Sequence, residues 1–159
     1  MSRSGADLAL LLLGGFRSLV DDATDELARR GHQDVRPVHD FAMRAIAAGA
    51  DDATRLGRRL SVSKQAAAKT IAALQERGYV TRETDPLDAR RKRLQVTALG
   101  FDVLRQGEEI FDELRDGWER RIGPGELERL ERHLATLVDA APIRLDTPGW
   151  MARDLGGPS

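Results

Sequence analysis

One stretch of 38 residues, Leu60 to Thr97, constrains this chain more than any other: LSVSKQAAAKTIAALQERGYVTRETDPLDARRKRLQVT. It opens on a short turn, Leu60-Ser61-Val62-Ser63. Ser63 is an effective N-cap, because its hydroxyl oxygen can accept a bond from a free amide of the first helical turn. Ala67, Ile71 and Leu74 then recur at helical spacing and predict one buried face. The opposite face carries Lys64, Gln65, Ala68, Lys69 and Ala72. Gly78 suits the left-handed conformation just past a helix end, so the helix is expected over 63–77.

Alternation then predicts a strand at 79–83 and a second at 93–97, with Leu94 and Val96 inward. Asp85-Pro86 begins a turn, and the connecting loop 85–92 is crowded with Arg90, Arg91 and Lys92. Asp88 is placed to pair with Arg90 or Arg91 and brace it. The pattern is a helix-turn-helix followed by a β-wing, an arrangement suited to duplex DNA. An alanine-rich helix face enters a groove while Lys and Gln reach phosphates and base edges. A braced arginine at a loop tip suits the narrow minor groove, where negative potential is focused.

Four segments resemble the multiple antibiotic resistance regulator (MarR) family. They are the turn Leu60–Ala66, the helix end Leu74–Val80, the wing Asp85–Lys92 and the run Leu94–Gly100. The turn alone is shared by many helix-turn-helix proteins; the combination with the wing and the Thr-x-x-Gly helix start is specific. The resemblance covers roughly 35–140. It implies a mainly α chain with a small β-wing: a winged helix-turn-helix DNA-binding lobe plus a helical dimerisation region. It also implies a homodimeric regulator, more often a repressor, and a small aromatic or anionic effector held between dimer helices and DNA-binding lobe.

The boundaries follow. A dimerisation helix is expected within 6–34, the DNA-binding lobe over 35–97, the C-terminal dimerisation helices over 98–140, and a loosely structured tail over 141–159 in which Trp150 and Met151 dock on a neighbour. Leu8, Leu11, Leu12, Phe16, Leu19, Val20, Ala23 and Leu27 recur at three- and four-residue steps. That stripe is intramolecular core or, the favoured reading, a subunit interface, since large apolar patches seldom stay exposed. Pro37 starts the next helix, with Phe41, Ile46 and Ala47 inward. Asp51 or Asp52 caps a third helix ending at Leu60, whose Arg55, Arg58 and Arg59 reach phosphate or simply face solvent. Thr97 caps a long helix to about Arg120, roughly 33 Å long.

Composition narrows the classes. Net charge is −1, yet Arg55 to Arg93 holds eleven Lys/Arg against four acids, net +7, leaving −8 for the remainder. Such a one-sided field attracts phosphate on one face. With no cysteine, disulfides, thiolate metal sites and thiol-based oxidation sensing are excluded. The apolar run Leu8 to Val20 is too short to span a bilayer and lacks a convincing signal-peptide pattern; a cytoplasmic protein is expected.

No phosphate loop, paired-His helix or Gly-x-Ser-x-Gly elbow is present, so no catalytic residues, cofactor or metal are expected. His32, His39 and His133 are scattered. The expected DNA contacts are Ser63, Lys64, Gln65, Ala68, Lys69 and Thr70 on the recognition helix, Arg90 in the minor groove, and Arg91, Lys92, Arg93, Arg55 and Arg58 on phosphates. Arg36, His39 and Met43 are the candidate effector residues; the competing reading is a surface pair between Arg36 and Asp40. The alternative from another class is a winged helix that coats chromosomes non-specifically or binds protein.

Overall fold

The computed structural model describes residues 3–138. Along the chain run α1 (Gly5–Arg29), α2 (Pro37–Ala47), α3 (Ala53–Leu60), α4 (Lys64–Glu76), β1 (Val80–Asp85), β2 (Asp88–Val96), α5 (Ala98–Ile122) and α6 (Glu126–Leu137). The tail 141–159, with Trp150 and Met151, and the expected helix end at Ala140 lie outside the described residues.

The fold is mainly helical with one two-stranded antiparallel sheet. Local chemistry sets the helix starts. Asp52, rather than Asp51, caps α3 by accepting the Arg55 N–H at 2.8 Å. Ser63 caps α4 through the Ala66 N–H at 3.0 Å, and Thr97 caps α5 through the Gly100 N–H at 3.1 Å. Each cap satisfies an amide the helix itself leaves unpaired.

Between α3 and α4 the chain turns through Ser61, a left-handed residue at φ 54°. That conformation costs a non-glycine residue about 1–2 kcal/mol, and it is held by packing on both sides. Leu56, Ala67, Ile71 and Leu74 have no exposed surface. Gly57 lies under the turn, where an added Cβ would stand 2.9 Å from the Val62 carbonyl oxygen. The two helices can cross this closely only over a residue without a side chain.

The core is continuous from this motif into the long helices. Met43, Ala42 and Ile46 of α2, Val80 and Leu94 of the hairpin, and Val103, Leu104 and Ile110 of α5 are all buried in it. Ala47, expected inward, is exposed; the buried stripe of α2 instead runs through Ala42, Met43, Ala45 and Ile46. α5, about 37 Å long at helical rise, extends beyond the lobe and packs along α1. Arg30 lies 3.4 Å from Glu109 and 3.6 Å from Glu113. Arg115 then holds α6 through both oxygens of Glu131, at 2.7 and 2.8 Å.

The wing differs from expectation. Its strands are longer than 79–83 and 93–97, pairing Val80 with Val96 through Thr84 with Lys92, then Asp85 with Asp88. The eight-residue loop is therefore mostly strand: Pro86-Leu87 form the tip, and Ala89, Arg90 and Arg91 bulge from β2. Charged residues conceal a strand that lies over no core, because inside–outside alternation is absent there.

The hairpin root is closed by the start of α5. Thr97 Oγ1 donates to the Gly78 carbonyl at 2.6 Å, and a Cβ on Gly100 would come within 2.3 Å of the Tyr79 carbonyl oxygen and 2.7 Å of Val96 Cγ1. Gly100→Ala is expected to destabilise the protein by about 2–3 kcal/mol through overpacking, read as a lower urea midpoint at unchanged m-value.

Candidate nucleic-acid interface

The exposed face of α4 carries Lys64, Gln65, Ala68 and Lys69, opposite the buried Ala67, Ile71 and Leu74. The small Ala68 between longer polar side chains leaves room for close approach of a groove wall. Ser63 and Thr70 have local bonds: the Ser63 oxygen caps the helix, and Thr70 Oγ1 donates to the Ala66 carbonyl at 3.2 Å. Ser63 still has a hydroxyl proton to offer outward, whereas that of Thr70 is committed to the backbone.

The four consecutive cations of the wing have different surroundings. Arg90 is fully on the surface, at the bulge beside the tip. Its own N–H is accepted by Asp88 Oδ1 at 3.0 Å, so Asp88 braces the backbone rather than the guanidinium. Lys92 is exposed and reaches Thr84 Oγ1 at 3.2 Å. Arg93 stands opposite Glu83 across the ribbon and is half-buried.

Arg91 turns inward. Its Nη2 lies 2.8 Å from Asp51 Oδ1 and 3.2 Å from Asp52 Oδ2, and its Nη1 is 3.5 Å from Asp85 Oδ2. The expected phosphate contact is thus, in this structure, a clamp between the wing and the N-terminus of α3. The backbone adds to it, the Leu94 N–H donating to the Asp51 carbonyl at 2.8 Å. The Arg55 backbone N–H, then the Arg55 and Arg91 guanidinium groups, hold the Asp52 carboxyl below the usual carboxylate range.

Arg55, expected on phosphate, also meets this cluster, 2.7 Å from Asp51, with half its side chain still exposed. Arg58 and Arg59 are exposed at the end of α3. The residues sequence reasoning missed are Asp51, Asp52 and Asp85 as anchors; no local signal marks them, because their partner is some 40 residues away or across a turn.

The wing is also tied to the long helices. Tyr79, which precedes β1, has its hydroxyl 3.2 Å from His32 Nδ1. His32 Nε2 lies 3.2 Å from Gln106 Nε2, and that amide donates to Asp102 at 2.7 Å. One chain of polar contacts therefore joins the end of α1, the root of the wing and α5.

Beside this joint α1, α2 and α5 enclose a narrow cleft of about 30 Å³. Its lining is mostly apolar, including Val20, Leu27, Val35, Phe41 and Phe111, with Arg36 and Asp40 as the charged members. Of the three candidate effector residues only Arg36 lines it. Met43 has no exposed surface and belongs to the core. His39 is buried too, its Nδ1 accepting the Arg36 N–H at 3.0 Å. Asp40 takes Arg44 at 2.7 Å, the guanidinium one turn on, which also holds Glu108 at 2.9 Å. Among the described residues no group of three or more His, Asp or Glu is placed to hold a metal ion, and no helix is long and apolar enough to cross a membrane.

Residues 41–91 match the sequence model of the MarR family. Among solved structures, RV1404 from Mycobacterium tuberculosis superimposes with a TM-score of 0.71 at 20% identity, over 89% of this chain and 97% of that one. A cysteine-to-serine mutant of MarR from E. coli gives 0.68 at 18% identity, over 87% and 98%. A mutant of MepR from S. aureus bound to an oligodeoxyribonucleotide gives 0.59 at 16% identity, over 85% and 98%. No curated protein sequence matches the chain. The fold is that of these winged-helix proteins, and the match to the MarR family model is confined to the helix-turn-helix and the first part of the wing.

Burial pushes the His39 imidazole down from 6.5 to about 4, with Arg77 and Arg36 acting in the same direction and the Asp34 backbone opposing them. In that window the unfolded chain binds a proton that the folded chain excludes. Stability is therefore complete above pH 6.5 and falls towards pH 4, by roughly 2–3 kcal/mol from this group alone. Urea titrations should show a shallower decline over that range for His39→Gln, whose amide oxygen can still accept the Arg36 N–H.

Proposed function

We propose that this protein is a homodimeric transcription regulator, acting as a repressor, that binds a two-fold related duplex site. The observation that carries the reading is the pairing of an exposed Lys64-Gln65-Ala68-Lys69 face on α4 with an exposed Arg90 on a hairpin whose position Arg91 fixes. The helix would read the major groove, Ser63 and Thr70 lying along phosphates at its edge. The wing would place Arg90 in the minor groove, with Lys92, Arg93, Arg55 and Arg58 near the backbone. Half-sites would lie about 34 Å apart, one helical turn. The MepR structure with its oligonucleotide supports a nucleic-acid partner for this fold.

Support for the second copy comes from exposed apolar surface. Leu8, Leu10, Leu11 and Leu12 are 57%, 65%, 52% and 47% exposed near the start of α1, and Ile122, Leu130, Leu137 and Val138 are exposed on α5, α6 and just after it. A patch of that density is covered in a stable assembly. Leu8→Glu with Leu11→Glu is expected to convert a sedimenting dimer to a monomer of unchanged helicity and to weaken duplex binding more than tenfold, each lobe then binding alone.

The cleft supports an effector role. An apolar or aromatic small molecule that opened this narrow cleft would wedge α2 away from α5 and re-aim the reading lobe, releasing the DNA.

The direct test is titration of the DNA just upstream of the protein's own coding region against a random duplex, at several salt concentrations. Losses of about 1–3 kcal/mol per altered base pair support the regulator; uniform affinity with a steep salt slope replaces it with a non-specific coat. Two variants separate the wing arginines. Arg90→Ala should lose binding at full thermal stability. Arg91→Ala should lose binding together with about 1–2 kcal/mol of stability, since Asp85 is left buried without its cation.

A further inference from the structure

Leu87 occupies the extreme of the wing and is 95% exposed, more than any other large hydrophobic residue described. Its setting differs from that of the exposed leucines of α1. Those stand side by side in a patch that a second subunit can cover. Leu87 has exposed Pro86, Asp88, Ala89 and Arg90 beside it in the chain, and among the described residues nothing covers it.

The tip that carries this leucine is held at several points. Asp85 Oδ1 accepts the Leu87 N–H at 2.9 Å, and Asp88 Oδ1 accepts the Arg90 N–H at 3.0 Å. The other oxygen of Asp85 faces Arg91 at 3.5 Å, and Arg91 is held in turn by Asp51 and Asp52. A leucine on a loose loop would fold back against the nearest apolar surface. This one is displayed at a fixed place, beside exposed Arg90 and Lys92.

An apolar point flanked by cations is complementary to a surface that is anionic at its rim and apolar between. The duplex minor groove has that character, with phosphates outside, sugar rings as walls and base edges as floor. Apolar side chains are used there by proteins that read groove shape. We infer that Leu87 enters the minor groove with Arg90, packs on sugar and base-edge atoms, and acts as a specificity residue favouring A·T pairs under the wing. A guanine projects its 2-amino group from the groove floor, whereas A·T pairs present only acceptors in the floor. A leucine packed there would cover that donor without offering it an acceptor. This inference rests on the duplex-binding reading above.

The test uses the full-length protein and the duplex from upstream of its own coding region. Hydroxyl-radical footprinting locates the minor-groove segments the wings protect, and those segments are then made as A·T, G·C or inosine·C pairs. Inosine·C keeps the major-groove pattern of G·C but lacks the 2-amino group. Wild-type protein should bind the A·T and inosine·C duplexes alike and the G·C duplex about tenfold more weakly. Leu87→Ser should bind the A·T duplex about tenfold more weakly, with the A·T over G·C preference falling towards one. Its salt slope should be unchanged, because no charge is removed, and its melting temperature should be that of wild type. Leu87→Met should restore both affinity and preference.

Wild-type affinity and preference in Leu87→Ser, or an inosine·C duplex bound as weakly as G·C, would overturn the assignment while leaving duplex binding intact. Failure of the wild-type protein to bind any duplex would overturn the regulator reading and this inference together.

Discussion

Arg91 is the residue on which the reading surface depends. A two-stranded ribbon buries little and has marginal stability alone, so it holds a direction only where something fastens it. Here one guanidinium meets Asp51 and Asp52 at the start of α3 and Asp85 at the wing's turn. The Leu94 N–H adds a backbone bond to Asp51. Because α3 turns directly into α4 over Gly57, fixing the wing to α3 also fixes it relative to α4. The same arrangement separates the cations by role. Arg91 is consumed by carboxylates, and Arg90, one residue earlier and on the bulge, is left to project.

The lobe is in turn coupled to the long helices by contacts on both sides of one cleft. On one side, Tyr79, His32, Gln106 and Asp102 form a connected polar chain from the wing's root to α5. On the other, Arg44 of α2 joins Asp40 to Glu108 of α5. Displacement of α2 against α5 would therefore strain the Arg44 bridge. The cleft lies at the joint where the winged-helix lobe meets the long helices. Its lining is mostly apolar, with Arg36 and Asp40 as the charged members.

Much of this architecture was legible from residue order. The caps Ser63 and Thr97, the buried triplet Ala67, Ile71 and Leu74, and the Gly78 stop are local signals, and local signals survive in any surroundings that permit a helix. The long helix that Thr97 caps was equally plain. Where the reading went astray, the deciding term was not local. Strand extent was underestimated because Arg and Lys on an edge ribbon show no inside–outside alternation. Met43 and His39 were placed near a ligand by proximity in sequence, but one helical turn is enough to rotate them into the core while Arg36 and Asp40 face the cleft. Asp40 also takes Arg44, four residues further on, which Glu108 of α5 holds in place; that bridge between helices is not legible in the sequence.

Residue order alone determined that this chain would make a helix-turn-helix with a cationic hairpin, because capping hydroxyls, helical periodicity and turn chemistry act within a few residues. Tertiary structure decided which cation would be a fastener and which would be left exposed. Arg90 and Arg91 are chemically identical neighbours, and only the arrival of Asp51 and Asp52 from 39 or 40 positions away distinguishes them. It likewise decided that Leu87, ordinary as a letter in a loop, would stand exposed at a braced tip, since exposure depends on what is brought near and none of the described residues covers it.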